Sequence, residues 1–549
     1  MANLFFRRVA QPVSTSLVVL IIYSLALGMT QYGGTDIDVI TGGETSPQVV
    51  QATSVSWGHG NTVVVLYEDS SGDQLAAPSY CGVSVSTDGG STFNRLPVKF
   101  NVPGGCFGEP SLVYSNKAGK WIATFLTEGC GGAGLMSYTS PDGINWTFGS
   151  CVHNSTNDDL PILGVDNNPG SPFYGNLYVL FNNFNVSNGA LMVTRSADNG
   201  SSWSTPVTVY SAAPFHRGVR VAVSPGTDGT VYLQELSENG GGFNPRQPTL
   251  RRSTDGGATF PNAFTEIASF SPGGSPCNDG SNFNCMFQSP AQWRETGWGD
   301  MAVGPNGVVH YVTTFAGAGG DLGDVYYLRS TDSGATWSAP LKLNGDGTTK
   351  SQWQPSITVN SNGFAFVDWF DMRNGSGTIE VYGRSSTDNG ATWNAEQPVT
   401  DSPFPRPGQP DGAVIGSYMG FYHRNTFSND NTGNVAYVTW VDGRVLIGGS
   451  PQPDVFFDKV TVSGPTAADV TVSGRITDNH GRGLRQARVT IQDSRGHTLR
   501  AVSNAFGYYT ITSVPSGDTY IASVSARGFT FGPRVLSVTD SVAGFDFSP

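Results

Sequence analysis

Short segments in which aromatic and β-branched residues alternate with polar ones recur along most of the chain. Residues 301–337 show the pattern: MAV leads into the turn GPNG, and the segments VVHYVTTF, DVYYLRS and STDSGATW follow. Alternation with a period of two is typical of half-buried β-strands. Each unit of this kind therefore predicts four antiparallel strands joined by short turns.

The unit repeats at a nearly constant spacing. A polar motif follows the third strand of six units, and its first serine occupies positions 86, 140, 196, 253, 330 and 386, so successive copies lie 54, 56, 57, 77 and 56 residues apart. The long interval contains an insertion over roughly residues 266–296. Four-stranded units at a fixed period are typical of β-propeller blades, each of which buries its apolar face against its neighbours.

A further unit follows without the motif, in the segments AVIGSYMGFYHR, NVAYVTWVDGR and DVFFDKVTV. The sequence therefore predicts an all-β fold with a seven-bladed propeller over residues 36–463. A six-bladed ring is the alternative, if one end segment lies outside it.

The repeated motif reads STDGGSTF at residues 86–93, and its aspartate is either a functional carboxylate or a turn residue. A short turn needs glycine at a position of positive φ, and Ser and Asp side chains can satisfy the backbone groups of such a turn. A calcium loop would need further oxygen ligands and a Glu after the Gly, which these motifs lack. We therefore predict a structural role for the six motif aspartates, Asp88, Asp142, Asp198, Asp255, Asp332 and Asp388.

The motif S-x-D-x-G-x-T-[WF] resembles the Asp-box, or BNR repeat, of sialidase-type propellers, and the resemblance covers roughly residues 45–462. It implies a sialidase-like propeller. It also implies an active site with an arginine triad, an Asp acid/base and a Tyr nucleophile activated by a Glu.

The sequence changes character after Gly464 and Pro465, and residues 464–549 are predicted to form a second domain. The segments VTVSGRITDNHGRGLRQARVTIQD and SNAFGYYTITSVPSGDTYIASVSARGF resemble the carboxypeptidase regulatory-like domain, a transthyretin-like sandwich of seven or eight strands. The resemblance implies a support or binding module without catalytic residues. Any chemistry is therefore expected on the propeller.

Composition narrows the class of partner. Charged residues make up only 13% of the 549, and the formal net charge of -13 is spread along the chain without a basic cluster. A nucleic-acid partner is therefore not expected. We expect an extracellular glycan or a protein surface instead, and no cofactor.

The N-terminus and the cysteines indicate an extracytoplasmic protein. Residues 1–30 carry two arginines before the apolar run LVVLIIYSLALGM, which predicts a signal peptide, with an uncleaved N-terminal membrane anchor as the alternative. The cysteines number six, and Cys277 and Cys285 bracket the tight loop CNDGSNFNC. Disulfides are predicted, Cys277–Cys285 among them, because no spacing typical of a zinc site occurs.

Chain direction separates the two faces of the predicted ring. If the motif turns close the third and fourth strands, the starts of first strands and the ends of second strands lie on the opposite face, where propellers usually bind ligands. Candidates placed there at first-strand starts are Glu109, Asp159, Arg217, Asp300, Gln354 and Asp411, with Tyr418 inside the last first strand. The ends of two second strands add W-x-D-x-R motifs, at residues 369–373 and 440–444.

Two interpretations of these candidates remain open. In one, Arg217, Arg373 and Arg444 grip a substrate carboxylate together with Asp411, while Asp159 or Asp300 serves as acid/base and Glu109 activates Tyr418. In the other, each W-x-D-x-R is an inter-blade lock whose Arg and Asp pair with each other and whose Trp is packed.

One departure from the sialidase pattern weakens the first interpretation. The family's first arginine belongs to an Arg-Ile-Pro motif, which is absent here. Three functions are therefore carried forward: recognition of carbohydrate or of a protein surface without sialidase catalysis, exo-acting glycoside hydrolysis, and cell-surface adhesion or scaffolding.

Overall fold

The computed structural model describes most of the chain from residue 32 to its end. The described ranges are 32–41, 54–72, 79–97, 100, 104–238, 244–261, 265–278, 283–286, 292–295, 297–317, 321–375, 377–408, 410–412, 414, 419, 423–462, 470–493, 498–515, 518–538 and 541–549. The predicted signal peptide or anchor and the candidate Tyr418 lie outside them.

Within these ranges the first part of the chain forms seven antiparallel sheets, each built around four strands and here called blades. Blade 1 contains Ser54–His59, Thr62–Glu68, Cys81–Ser86 and Asn94–Arg95. Blade 2 contains Ser111–Ser115, Lys120–Thr127, Gly134–Ser140 and Thr147–His153. Blade 3 contains Asp158–Val165, Leu177–Asn183, Ala190–Ser196 and Val207–Tyr210. Blade 4 contains His216–Val223, Val231–Ser237, Gln247–Ser253 and Thr265–Glu266.

The later blades follow the same order with two modifications. Blade 5 contains Asp300–Val303, Val309–Phe315, Asp324–Ser330 and Leu341–Lys342. Blade 6 contains Gln352–Val359, Ala365–Asp371, Thr378–Ser386 and Gln397–Pro398, and Phe404–Pro405 also pairs with its third strand. Blade 7 contains Thr426–Phe427, Val435–Asp442 and Asp454–Thr461, and its fourth strand is Ile37–Asp38 from the start of the chain.

The blades close into a ring. The first strand of each blade contacts the first strand of the next, and the first strand of blade 7 contacts that of blade 1. Ile37 pairs with Phe457, so a strand from the start of the propeller completes its last blade. This pairing joins the two ends of the ring by backbone hydrogen bonds.

Apolar contacts between neighbouring blades form the core. In the motif of blade 1, the terminal Phe93 is buried and its ring lies 5.0 Å from that of Phe457 in blade 7. In blade 6, Trp393 contacts Tyr327 of blade 5, with ring centroids 4.8 Å apart. The terminal aromatic residue of the motif thus packs between sheets, where its burial stabilises the ring.

A few short elements lie outside this scheme. The insertion before blade 5 carries the small sheet Ser275–Pro276, Asn284–Cys285 and Arg294–Glu295, and a hairpin in blade 7 pairs Leu446–Ile447 with Ser450–Pro451. The described helices are the 3-10 turns Ser70–Gly72 and Pro305–Gly307 and the single turn Ser428–Asn431.

The C-terminal part forms a β-sandwich with its own core. One sheet pairs Val470–Arg475 with Tyr508–Val514, and the other has the order Thr498–Val502, Arg488–Gln492, Asp518–Ser525 and Arg534–Val538. These are six strands among the described residues, fewer than the seven or eight expected, and residues 542 and 547 add bridges to the first sheet. Its apolar cluster includes Val472, Val489, Ile511 and Phe547.

Candidate functional site

The motif aspartates hold their turns through local hydrogen bonds. In blade 1, the Ser86 hydroxyl donates to Asp88 Oδ1 at 2.7 Å and accepts the Gly90 N–H at 2.8 Å. The Thr92 N–H donates to Asp88 Oδ1 at 2.9 Å, and the Thr92 hydroxyl donates to Oδ2 at 2.7 Å. Gly89 and Gly90 have φ of 71° and 81°, which favours glycine. The carboxylate is therefore fully used within the turn.

The same Ser-to-Asp hydrogen bond occurs in the other five copies. Hydrogen bonds from Ser253, Thr259 and the backbone outweigh the opposing effect of slight burial and lower the pKa of Asp255 to about 2. Such stabilised, already bonded carboxylates are poorly suited to proton transfer near neutral pH. This agrees with the structural role predicted for the six residues.

On the opposite face, an arginine joins two blades. Arg217, at the start of the first strand of blade 4, donates from Nη1 to Asp159 of blade 3 at 2.6 Å and from Nε to Glu238 at 3.1 Å. The Phe215 and Trp298 rings lie 5.2 and 5.1 Å from the guanidinium carbon. Burial opposes the charge, but the two carboxylates more than compensate and raise the pKa of Arg217.

Glu109 of blade 2 lies beside this pair. Its Oε2 accepts the Leu160 N–H at 2.6 Å, and its own N–H donates to Glu68 of blade 1 at 3.1 Å. Burial, followed by the negative charges of Asp159 and Glu68, raises the pKa of Glu109 well above its usual range. Two neighbouring carboxyl groups are thus held in contrasting states, one protonated more readily and one paired with a guanidinium.

We call Glu68, Glu109, Asp159, Arg217 and Glu238 the Arg217 cluster. Sequence reasoning identified its members at the starts of first strands, Glu109, Asp159 and Arg217. It missed Glu68 and Glu238, which lie at or just beyond the ends of second strands. The ends of the second strands in blades 1 and 4, had they been inspected in the sequence, would have pointed to these two residues.

Unusual backbone conformations occur where the first strands start. Glu109, Leu160 and Gln354 have φ of 56°, 52° and 48°, and each precedes a proline. Positive φ is costly for residues other than glycine, by about 1–3 kcal/mol. The surrounding sheets hold these residues in place and so fix the backbone beside Glu109 and Asp159.

Exposed aromatic residues flank the Arg217 cluster. On one side, Phe107 is 37% exposed and its ring lies 6.2 Å from that of Tyr80. On the other side, Phe184 is 40% exposed and lies 5.6 Å from Phe215. All four precede first or third strands or follow a second strand, which places them on the same face as the cluster. Sequence reasoning did not single them out.

The other two candidate arginines are engaged elsewhere. Arg373 bonds Asp371 and Glu396, each at 2.6 Å, and its guanidinium carbon lies 4.0 Å from the centre of the Tyr382 ring. Tyr382 and Glu396 belong to the outer half of blade 6. The Trp369 indole also donates to Asp371 at 3.0 Å. This W-x-D-x-R motif is a lock within its own blade and not the expected inter-blade lock, because the partners of Arg373 belong to the blade that carries the motif.

The second motif forms the same lock and adds a contact to the start of the propeller. Arg444 bonds Asp442 at 2.8 Å and Asp36 at 2.7 Å, and the Trp440 indole donates to Asp442. Asp36 adjoins the strand that completes blade 7. The prediction that Arg217, Arg373 and Arg444 converge on one substrate carboxylate is therefore wrong, because each pairs with a different set of carboxylates.

Three further candidates stand apart from the cluster. Asp300 is buried, accepts the Ile357 N–H of blade 6 at 3.1 Å and lies 3.4 Å from Arg220 of blade 4, so its contacts join blades. Its predicted acid/base role is not supported by this position. Asp411 is buried, and Tyr418 lies outside the described residues. The first strand described in blade 7 is Thr426–Phe427.

A further buried carboxyl, missed in the sequence, lies in the insertion before blade 5. Glu295 is 2% exposed and accepts the Gly297 N–H at 2.7 Å. Burial raises its pKa to about 7, against the opposing effects of hydrogen bonds and of Arg246. The predicted disulfide Cys277–Cys285 closes a short loop within the insertion. The other disulfides are Cys81–Cys106 and Cys130–Cys151.

The ring axis contains a narrow cavity. A space of about 130 Å³ is lined by residues of the first strands, including Ser56, Ser111, Arg220 and Arg424. Arg424 reaches from blade 7 to the Val219 carbonyl of blade 4, a distance of 2.6 Å.

Two negative observations concern the described residues alone. None of the helices in that part of the chain is long and apolar enough to span a membrane. Among the same residues, no group of three or more His, Cys, Asp or Glu side chains is arranged to hold a metal ion.

Comparison with known families identifies the C-terminal part. Residues 471–543 match the family model of the carboxypeptidase regulatory-like domain. The predicted resemblance is confirmed. The fold is thus a β-propeller followed by a carboxypeptidase regulatory-like sandwich.

Part of the chain is similar to a curated protein. A xyloglucanase of Hypocrea jecorina (strain QM6a) is 27% identical over 184 residues, which are 33% of this chain and 20% of that protein. This chain thus spans about a fifth of that relative's length.

Solved structures with a similar fold include the Penicillium chrysogenum α-L-arabinanase, 13% identical with a TM-score of 0.42, covering 78% of this chain and 98% of that one. An ulvan lyase of polysaccharide lyase family PL25 is 11% identical with a TM-score of 0.43, covering 78% and 94%. None of these three proteins is named as a sialidase.

Proposed function

We propose that the protein binds an extracellular polysaccharide on the propeller face that carries the Arg217 cluster. The observation that carries this proposal is the arrangement of hydrogen-bonding groups between exposed aromatic rings. Phe107 and Phe184 present apolar surface on either side of carboxyl groups and a guanidinium. Sugar rings combine apolar C–H faces with hydroxyl groups, so a site for them needs both kinds of contact.

The setting supports an extracytoplasmic role. Three disulfides occur among the described residues and leave no free cysteine there. Disulfides form and persist in oxidising compartments. The similarity to a xyloglucanase, although it covers only a third of the chain, favours a polysaccharide over a protein surface as ligand.

Direct binding measurements test the proposal. The full chain is screened against immobilised polysaccharides, among them xyloglucan, arabinan and ulvan. We expect saturable binding to at least one, and protection of Phe107 and Phe184 from hydroxyl-radical oxidation in the complex. Absence of binding to every glycan, or a footprint confined to the motif face, would reject the proposal.

A second candidate function is glycoside hydrolysis at the same site. It is favoured by the contrast between Glu109, whose pKa is raised, and Asp159, which is paired with Arg217. Glycosidases use one protonated carboxyl group to protonate the leaving oxygen, and a second, ionised one as nucleophile or base. In this scheme Glu109 donates the proton, and Asp159 attacks the anomeric carbon or activates a water.

Product analysis separates the two functions. Hydrolysis predicts that the wild type releases reducing ends from a bound polysaccharide and that Glu109→Gln lowers the rate at least about 100-fold while binding persists. Binding without release of reducing ends would leave recognition as the function. It would also favour an adhesion or scaffold role over an enzyme.

A further inference from the structure

A second cavity opens at the ring axis, on the face that carries the motif turns. It measures about 260 Å³, and its wall includes the last residues of the first strands of blades 3 to 6, Val165, Val223, Val303 and Val359. The same valines also line the narrow axial cavity described above, so the two spaces adjoin. We call the wider one the motif-face cavity. It lies at the opposite ends of the first strands from the Arg217 cluster.

Part of the wall is a turn with an unusual backbone. Asn429, Asp430 and Asn431, between the first two strands of blade 7, have φ of 49°, 55° and 62°, and the last two line the cavity. Within the described part of the chain, this is the longest run of non-glycine residues at positive φ. Such conformations are unfavourable, persist only where the surrounding structure imposes them, and cluster at sites that bind ligands.

Blade 1 holds this turn in place. The Trp57 indole N–H donates to Asp430 Oδ1 at 2.9 Å, and His59 Nδ1 lies 2.7 Å from Asp430 Oδ2. His59 in turn stacks on Tyr114 of blade 2, with ring centroids 3.7 Å apart. The wall therefore has its shape before any ligand arrives, which lowers the entropy cost of binding.

Hydrogen-bonding groups from three blades remain available at the mouth of the cavity. Asn431 Oδ1 accepts the Phe427 N–H at 2.7 Å, which leaves Nδ2 without a partner among the described residues. The Asn116 amide of blade 2 and the Ser361 hydroxyl of blade 6 also line the cavity. Both side chains are exposed and form no hydrogen bond within the same part of the chain.

The charge of the wall disfavours ionic ligands. Its described residues include neither Lys nor Arg, and its one carboxylate, Asp430, is bonded on both oxygens. Lys117 donates to a backbone carbonyl outside the wall, and Arg220 and Arg424 line the adjoining narrow cavity. An ionic ligand would lose hydration in the motif-face cavity without gaining a counter-charge from its wall.

We infer that the motif-face cavity is a second binding site, which takes a single neutral sugar unit such as the terminal residue of a glycan. The valines and the Trp57 indole offer apolar surface to the C–H face of a sugar, and Asn116, Ser361 and Asn431 offer hydrogen bonds to its hydroxyl groups.

The size of the cavity limits the ligand. Its 260 Å³ lies just below the roughly 300–1,000 Å³ of sites for drug-sized molecules, so it suits one sugar ring and not an extended chain. The inference does not depend on the polysaccharide site proposed above, which lies on the opposite face. With both sites, one molecule holds two glycans at once.

Ligand-observed NMR tests the inference. Saturation-transfer titrations of the full chain use the methyl glycosides of glucose, galactose, xylose and arabinose. We expect saturable binding of at least one of them.

Variants locate this binding. Asn116→Ala/Ser361→Ala removes two hydrogen-bonding groups from the cavity and keeps both backbone N–H groups, so we expect at least about tenfold weaker binding. Asn362→Ala is the matched control, because Asn362 is exposed beside Ser361 but does not line the cavity. This control and Phe184→Ala, on the opposite face, should bind the glycoside like the wild type. The substituted side chains are exposed, and melting temperatures show whether each variant folds.

The outcomes separate the two sites. No saturable binding of any methyl glycoside, or equal affinities in the double variant and the wild type, would overturn the inference. A loss of affinity in Phe184→Ala alone would place the glycoside beside the Arg217 cluster, which also overturns the inference but supports the proposed function. Glycoside binding lost in the double variant, without any binding of polysaccharide by the wild type, would support the inference and reject the proposed function.

Discussion

The guanidinium of Arg217 donates to the carboxylate of Asp159 over 2.6 Å, although the two residues lie 58 positions apart and belong to different blades. This contact joins blades 3 and 4 at the face opposite the motif turns. It pairs one carboxylate with a guanidinium beside Glu109, whose pKa is raised. The chemistry proposed for the site depends on this difference.

Glu109 is expected to lower the free energy of unfolding above pH 4.5, although it belongs to the proposed site. Burial and the nearby Asp159 and Glu68 raise its pKa, so above the ordinary value of 4.5 the unfolded chain releases a proton that the folded chain keeps. The free energy of unfolding should therefore fall as the pH rises from 4.5 toward the raised pKa. Glu109→Gln removes this penalty, and its melting temperature should exceed that of the wild type at pH 8.

Calorimetry of both proteins at pH 4 and pH 8 measures the effect. The gain should be small at pH 4, where the unfolded chain also holds the proton. A variant less stable than the wild type at both values would show that Glu109 stabilises the fold and is not held under strain by burial.

The contribution of the motif aspartates to the free energy of unfolding should be lost in acid. Hydrogen bonds hold the pKa of Asp255 at about 2, so its contribution to stability is complete above the ordinary value of 3.8 and is lost as the pH falls toward 2. Because the side chain is exposed, Asp255→Ala is expected to cost only about 1 kcal/mol at pH 7. Thermal unfolding should show the difference shrinking between pH 4 and pH 2.

Glu266→Ala provides the control for this measurement, since Glu266 is an exposed carboxylate on the fourth strand of the same blade. Its effect is expected to stay within about 0.5 kcal/mol at pH 7. A cost for Asp255→Ala that does not change with pH would mean that the loss is steric.

Arg444 should matter for stability and not for ligand binding. Its removal leaves Asp36 and Asp442 buried without their cation, and burial already raises the pKa of Asp36 to about 6. Because Arg444 itself is 25% exposed, we expect Arg444→Ala to cost about 2 kcal/mol, less than the loss of a fully buried pair. Chemical denaturation measures this cost. A large loss of glycan affinity without loss of stability would instead assign Arg444 to the site.

The disulfide Cys130–Cys151 should stabilise blade 2. It closes a segment of 21 residues and ties the loop after the second strand to the fourth strand. Replacing both cysteines with alanine is expected to cost about 3 kcal/mol. Iodoacetamide labelling of the unfolded, unreduced wild type should modify no cysteine. Labelling of Cys130 or Cys151 under those conditions would contradict the pairing.

Sequence patterns predicted those features of the structure that depend on contacts between residues close together in the chain. The contacts of Asp88 all lie within four residues, so the spacing of the motif contains the whole turn. Arg373 and Arg444 each donate a backbone N–H to the aspartate two positions earlier, which is why the lock interpretation of W-x-D-x-R could be formulated from the motif alone.

Contacts between blades could not be predicted from such local patterns. Glu68 and Glu109 are 41 residues apart, and their contact depends on how two blades meet. The pairing of Ile37 with Phe457 likewise joins the two ends of the propeller. Equally, no local signal distinguished Arg217, which faces a neighbouring blade, from Arg373, which is held by its own.

The central claim is that a glycan binds between the exposed aromatic residues beside the Arg217 cluster, and one matched pair of variants tests it most directly. Phe184 and Phe148 are each 40% exposed, but Phe148 lies on the fourth strand of blade 2, away from the cluster. Isothermal titration with the best-binding polysaccharide from the screen should show about a fivefold loss of affinity for Phe184→Ala, since stacking contributes on the order of 1 kcal/mol. Phe148→Ala should bind like the wild type. Equal affinities in both variants and the wild type, or a loss confined to Phe148→Ala, would contradict the claim.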